Sequence, residues 1–238
     1  MAETGDQKLL ARSAMERSHL YSLLATIFRD EPSPELLSYL QEPDMMSVLD
    51  GAGVNLGDAF AASEVSELAE QLVVDFTVLF LGPGHHISPH ESVQLKRGSG
   101  ILWGPETSAV RRAYRAAGFD VCEVSHKIPD HISVELDFLS HLTSIESEAW
   151  AAHDDDQITE TLSLQHSFLS QHLGKWSGSF CAKIRESGES GFYTAFAELL
   201  RDFLSGEKSD MAARFEELTH APSSTASASE NIASEYAQ

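Results

Sequence analysis

The stretch IPDHISVELDFLSHL, from Ile128 to Leu142, decides the fold class of this sequence. Its apolar residues recur every three or four positions, which is typical of one buried face of an α-helix; they are Ile132, Leu136, Leu139 and Leu142. Pro129 lies at the predicted start of this helix, directly before Asp130 and His131. An adjacent carboxylate and imidazole suit four roles there: metal ligands, acid–base catalysts, a helix cap or a docking point for a charged group.

Helical periodicity continues on both sides of this stretch. Apolar stripes with helical spacing run through residues 20–28, 65–79 and 192–203. Ser33 with Pro34 is a typical N-cap pair, and Gly118 follows a predicted helix as a suitable left-handed C-cap. No segment shows the polar–apolar alternation of a sheet. The sequence therefore predicts an all-α protein, with a single compact domain over residues 1–220 and a disordered Ser/Ala-rich tail over residues 221–238.

The overall charge of the chain is strongly negative. Lys and Arg number 16 against 37 Asp and Glu, which gives a formal net charge of −21. Such a surface repels nucleic acid and anionic membranes and favours a cationic partner, although acidity also serves solubility alone.

Three further features indicate the cellular compartment. The N-terminus lacks the apolar core of a signal peptide, and no run reaches the roughly 18 apolar residues that a membrane span needs. The two cysteines, Cys122 and Cys181, form no C-x-x-C motif and favour buried thiols in a reducing compartment. Together they predict a cytoplasmic protein without stable membrane insertion.

A long segment from Leu81 to Glu106 lacks helical periodicity. A loop of this length inside a compact helical domain usually has a function, so we treat it as one wall of a possible site. Six histidines lie in or near this part of the chain, a composition that suits a metal site; they are His85, His86, His90, His126, His131 and His141.

The metal interpretation has no strong motif behind it. The chain contains neither H-E-x-x-H nor the repeated E-x-x-H pairs of di-iron bundles. His131 and Glu135 lie one turn apart, a spacing that suits one edge of a metal site and, more commonly, a surface pair. A nucleophile elbow and a complete P-loop are also absent. A metal-dependent hydrolase using the His, Asp and Glu residues around 85–141 nevertheless stays open as the alternative function.

Several segments together resemble a known family. VVDFTVLFLGPG and SPHESV precede VRRAYRAAGF, IPDHISVELDFLSHL, HLGKWSGSF and FYTAFAELLRDFL, in the order seen in TorD-type chaperones. These are maturation factors of molybdenum-containing oxidoreductases, related to DmsD and NarJ. The resemblance runs from about Ser18 to Leu204, and its most specific element is P-D-H followed by E-L-x-F-L.

The resemblance implies an all-helical, non-enzymatic chaperone without a catalytic residue, metal or other cofactor. It implies as partner a molybdoenzyme catalytic subunit with its twin-arginine signal peptide, bound by a monomer or a dimer. The peptide-binding region would include Pro129, Asp130, His131 and Glu135, with Pro83, Ser88, Pro89, Glu91, Ser92 and Trp103 nearby. Such a peptide combines a basic and an apolar segment, and a binder needs carboxylates beside an apolar groove.

Two positions depart from the family pattern. An aromatic residue is usual where His90 stands, and an acidic residue is common where Lys127 or Ile128 stands. Both differences bear on which peptide is preferred.

Overall fold

The computed structural model describes residues 3–83, 86–95, 102–120 and 126–220. Within these ranges we number the helices in chain order: α1 Glu3–Arg29, α2 Pro34–Leu40, α3 Pro43–Gly51, α4 Gly57–Ala62, α5 Val65–Phe76, α6 Glu91–Gln94, α7 Pro105–Ala116, α8 Ile132–Ala152, α9 Asp155–Gln171, α10 Leu173–Ser187 and α11 Gly191–His220. A π-helical turn, Thr77–Leu81, directly follows α5. The described residues contain no strand beyond one isolated β-bridge. The prediction of an all-α fold is therefore confirmed, whereas the tail after residue 220 and Cys122 lie outside the described ranges.

Helix α8 lies at the centre of the fold. Ile132, Val134 and Leu136 are fully buried together with the polar residues between them, so the first turn of α8 is enclosed on every side. A helix with apolar residues all round must be surrounded by other elements. Its most extensive partner is α1, whose predicted apolar face, including Tyr21 and Leu24, is fully buried.

The remaining long helices complete one hydrophobic core. Helices α9, α10 and α11 pack against one another, and α9 and α10 also contact α8. An aromatic cluster joins α1, the π-helical turn, α10 and α11: Phe28, Phe80, Phe180 and Tyr193 approach one another with ring centroids 5.4–6.5 Å apart. Edge-to-face and offset contacts of this kind stabilise beyond the area they bury.

Local signals place several helix ends correctly. Leu36 N donates to Ser33 Oγ at 3.2 Å, and Gly118 adopts a left-handed conformation with φ of 69°. The segment from Leu81 to Glu106 was expected to lack helices, but it contains α6 and the first residues of α7. Helix α6 has four residues, too few to show one period of a stripe.

A buried charged cluster joins α1 to the C-terminal half of the fold. Arg17 Nη1 lies 3.1 Å from Glu146 Oε2, and its Nε donates to Glu207 Oε2 at 3.0 Å. Arg17 Nη2 donates to Gln165 Oε1, and Tyr21 OH donates to the same oxygen of Glu207. We call these five residues the arginine cluster; its members come from α1, α8, α9 and α11, so it links four helices through one guanidinium.

No helix in the described part of the chain is long and apolar enough to cross a membrane.

Candidate functional site

An antiparallel bridge joins the predicted loop to the start of α8. Ile132 N donates to Pro89 O at 2.8 Å, and Glu91 N donates to Asp130 O at 2.9 Å. The bridge pairs His90 with His131, and their rings meet edge to face with centroids 5.0 Å apart. We call residues 88–92 and 129–133 the bridge region.

The adjacent Asp130 and His131 cap two different helices. His131 is the N-cap of α8, where its Nδ1 accepts a hydrogen bond from Ser133 N at 3.1 Å. Asp130 Oδ2 instead accepts from Ser92 N at 2.9 Å and so satisfies the first turn of α6. Of the four roles open to this pair, both residues act as helix caps, but Asp130 caps α6 and not the helix at whose start it lies. Its carboxylate turns toward the loop because the bridge brings the N-terminal amides of α6 within reach.

Three carboxyl groups are buried together behind the bridge. Glu91, Asp130 and Glu135 are 2%, 0% and 0% exposed. His172 Nδ1 donates to Glu91 Oε2 at 3.1 Å, and Trp176 Nε1 donates to Glu135 Oε2 at 3.2 Å. Asp130 Oδ1 and Glu135 Oε1 are buried without a hydrogen-bond partner among the described residues. We call Glu91, Asp130 and Glu135 the acidic cluster.

Burial and neighbouring charge change the titration of this region. The pKa of Glu135 is raised well above its ordinary value, first because burial penalises the carboxylate and then because of the negative charge of Glu91. Burial lowers the pKa of His131 well below its ordinary value, with smaller contributions from His90 and Lys127. Burial likewise lowers the pKa of His90, although the charge of Asp130 acts in the opposite direction. His131 is therefore neutral at pH 7, and its Nδ1 remains free to accept the hydrogen bond of the cap.

The other predicted site residues occupy three different settings. Pro129 is buried, and its carbonyl oxygen accepts from Tyr114 OH at 2.9 Å. Pro83 and Ser88 line a groove described below, whereas Trp103 is 62% exposed just before α7 and is not among the groove residues. The structure thus brings the bridge residues and the acidic cluster together and leaves Trp103 separate from the groove.

A groove of about 800 Å³ lies beside the bridge region. One wall comes from the π-helical turn and the following loop, and the other from the last turns of α10. Ile87 N donates to Leu79 O at 2.7 Å, which fixes the loop against the turn. Its lining residues include Val78, Leu79, Pro83, Ile87, Ser88, Lys183 and Glu186.

The metal interpretation finds no support in this geometry. Among the residues that the structure describes, no three His, Cys, Asp or Glu side chains converge to hold a metal ion. His131 and Glu135 do not form the surface pair that their spacing suggested, because both are buried and bond to Ser133 and Trp176 respectively. His85 lies outside the described ranges.

Sequence reasoning missed the site residues that lie in α10 and directly before and after it. His172 and Trp176 reach the acidic cluster, while Glu186 and Glu189 line the groove. Trp176 lies in the segment HLGKWSGSF, but no local pattern indicates which carboxyl group it contacts. These contacts join residues far apart along the chain, which periodicity does not report.

Comparison with known proteins assigns the family. The profile of the family described as nitrate reductase delta subunit matches residues 42–182. The chain belongs to this family. Within it, the chaperone protein TorD of Aeromonas salmonicida (strain A449) is 33% identical over 211 residues, covering 83% of this chain and 92% of that protein. TorD of Vibrio cholerae serotype O1 (strain ATCC 39315 / El Tor Inaba N16961) is 27% identical over 220 residues, covering 86% and 96% respectively. The resemblance to TorD-type chaperones is thus confirmed.

The nitrate reductase delta subunit match covers the bridge region and the apolar wall of the groove. Glu186 and Glu189 lie just beyond its last matched residue, 182.

Proposed function

We propose that this protein is a cytoplasmic, non-enzymatic chaperone for a molybdenum-containing oxidoreductase. It binds the twin-arginine signal peptide of the catalytic subunit and delays export until the molybdenum cofactor is inserted. The observation that supports this most directly is the 33% identity to a TorD chaperone over 83% of the chain.

The groove suits such a peptide chemically. A twin-arginine signal joins a basic segment to an apolar one, and the groove offers Val78 and Ile87 on one wall and Glu186 on the other. Electrostatic attraction by a chain of net charge −21 would accelerate the encounter. The proposed peptide-binding region comprises Pro83, Ser88, Pro89, Glu91, Ser92, Trp103, Pro129, Asp130, His131 and Glu135.

Within this region the residues have different tasks. Pro83 and Ser88 can touch the peptide directly, because they line the groove. Asp130 and Glu135 are fully buried, so neither is exposed to the peptide in the folded state; Asp130 instead supports the loop that forms the wall. Asp130 does so through Ser92 N, and His131 through the bridge to His90.

Calorimetric titration with a synthetic twin-arginine peptide tests the proposal. The peptide carries two consecutive arginines before an apolar run of about 7–15 residues, the length typical of a signal peptide. We expect saturable binding by calorimetry and, by stopped-flow mixing, an association rate that falls as salt rises, because exposed charges are screened beyond about 8 Å at physiological ionic strength. No binding above that of a scrambled polar peptide would reject the proposed function.

Two substitutions test whether the bridge region supports peptide binding. We expect Asp130→Ala and His131→Ala to weaken binding about tenfold, because each loosens the loop that forms one groove wall. Thermal unfolding of both variants serves as the control. Unchanged affinity with a lower melting temperature would mean that the bridge only stabilises the fold.

A further inference from the structure

The two walls of the groove differ in chemistry. The wall of the π-helical turn and loop is apolar, with Val78 48% exposed and Leu79 and Ile87 behind it. Val74 is 56% exposed and lies four positions before Val78, and Leu81 is 61% exposed at the end of the π-helical turn. Exposed apolar side chains therefore continue along the chain on both sides of Val78. Contiguous exposed apolar side chains of this kind commonly mark an interaction surface.

The opposite wall carries two exposed carboxylates at and after the end of α10. Glu186 lies in the last turn of α10, and Glu189 follows the left-handed Gly188 that ends this helix. Both carboxylates are exposed and line the groove, and neither forms an ion pair with another described residue. They are thus available to a cationic ligand.

Lys183, on the same wall, forms a hydrogen bond across the groove. Lys183 Nζ donates to Gln94 Oε1 at 2.6 Å, and Gln94 Nε2 donates to Ser88 O at 2.7 Å. This chain of hydrogen bonds holds the ammonium group against the loop, across the groove. Lys183 therefore connects the two walls with its positive charge held against the loop, whereas the two glutamates lie in and beyond the last turn of α10.

We propose that the groove binds its peptide in one direction, with Glu186 and Glu189 pairing with the arginine side chains. The apolar segment that follows them then lies against Val78 and continues toward Val74 and Leu81. The inference rests on the proposed function and adds to it the residues that recognise the basic segment. A guanidinium group suits these positions because it donates to two carboxylate oxygens at once.

This assignment also explains why the acidic cluster need not open. Asp130 and Glu135 have no exposed surface, and Asp130 Oδ2 already accepts from Ser92 N. An arginine that bound these two carboxyl groups would have to lose its hydration and break the bridge between residues 88–92 and 129–133. Glu186 and Glu189 offer the same charge at the surface without that cost.

A charge-matched pair of double variants tests the inference. E186Q/E189Q removes two carboxylates from the groove, whereas E148Q/E160Q removes two exposed carboxylates from α8 and α9. Titration uses the twin-arginine peptide and a second peptide in which both arginines are glutamines. We expect E186Q/E189Q to weaken the arginine peptide about three- to thirty-fold and to leave the glutamine peptide unchanged, while E148Q/E160Q changes neither affinity by more than about twofold.

Photo-crosslinking tests the direction. A benzophenone at the apolar end of the arginine peptide should label residues 74–81, and one beside the arginines should label residues 183–189, as identified by mass spectrometry. The reverse labelling, or equal affinity of wild type and E186Q/E189Q for the arginine peptide, would overturn the inference and leave the proposed function standing. Failure of wild type to bind either peptide would overturn both.

Discussion

The arginine cluster and the acidic cluster are both buried and polar, but they differ in charge balance. In the arginine cluster one guanidinium lies between Glu146 and Glu207, with hydrogen bonds to both carboxylates. In the acidic cluster three carboxyl groups meet, the imidazole of His172 contacts only Glu91 among them, and two carboxyl oxygens, on Asp130 and Glu135, have no hydrogen-bond partner among the described residues. In the arginine cluster, ion pairs and hydrogen bonds compensate for the hydration that the buried charged groups lose. In the acidic cluster, part of this loss is not compensated.

The comparison indicates different roles for the two clusters. Partners of the arginine cluster lie 129 and 190 residues from Arg17, so it closes the fold between its N- and C-terminal helices. The acidic cluster lies behind the groove and positions its loop. A protein tolerates uncompensated burial mainly where function requires it.

The largest expected effect comes from removing the guanidinium. Arg17→Met removes the ion pair of Glu207 and leaves Glu146 with only its 3.5 Å pair to Arg214, so we expect a loss of about 3–5 kcal/mol in the free energy of unfolding. Urea denaturation at pH 7 measures it. Arg12→Met on the same helix is the control, because the Arg12–Glu16 pair is exposed and should cost no more than about 0.5 kcal/mol. Equal losses in the two variants would remove the distinction between the clusters.

Removing the cap of α6 should have a smaller effect. Asp130→Ala leaves Ser92 N without its acceptor, and we expect a loss of about 1–3 kcal/mol by urea denaturation. Asp130→Asn retains an oxygen at the position that accepts from Ser92 N, so it should lose less. If asparagine cost as much as alanine, the charge of Asp130 rather than its hydrogen bond would be the important property.

Glu135→Gln should stabilise the protein near neutral pH. The folded-state pKa of Glu135 is raised above its ordinary value of 4.5. At a pH between 4.5 and this raised pKa, the folded state therefore binds more protons than the unfolded state. Wild-type stability therefore falls as pH rises through that window, and the advantage of glutamine should grow to about 1–2 kcal/mol.

Melting temperatures between pH 4.5 and 8 measure this advantage. Glu148→Gln, an exposed change on the same helix, should show no comparable trend. A constant difference between Glu135→Gln and wild type across the range would contradict a raised pKa.

The smallest effect concerns His131. Its folded-state pKa is lowered below the ordinary value of 6.5, so the unfolded state binds the extra proton as pH falls below 6.5. Wild-type stability should therefore decrease toward acid, by about 1 kcal/mol near pH 5.5. His131→Asn keeps an acceptor for Ser133 N and should reduce this slope, whereas the exposed His19→Asn should not. If the melting temperatures of all three proteins fell equally toward acid pH, His131 would not titrate in this range.

The sequence by itself determined the fold class and several helix ends. The stripes containing Tyr21 and Leu136 identified buried faces, because an α-helix repeats every 3.6 residues and the pattern is local. Ser33 and Gly118 marked ends through equally local chemistry, a side-chain cap and a left-handed turn. The family followed from an ordered set of segments, which the comparisons confirmed.

Only the tertiary structure decided which polar groups meet. Asp130 could be recognised as a residue at a helix start, but its role as cap of α6 depends on a bridge to a segment 38 residues away. Arg17 lies four positions before Tyr21 on α1, and nothing in its local sequence indicates burial or Glu146 and Glu207 as partners. Helix periodicity is set by neighbours along the chain, whereas these contacts depend on how separate helices pack. Glu186 reaches the groove for that reason alone: the end of α10 packs beside the loop after the π-helical turn.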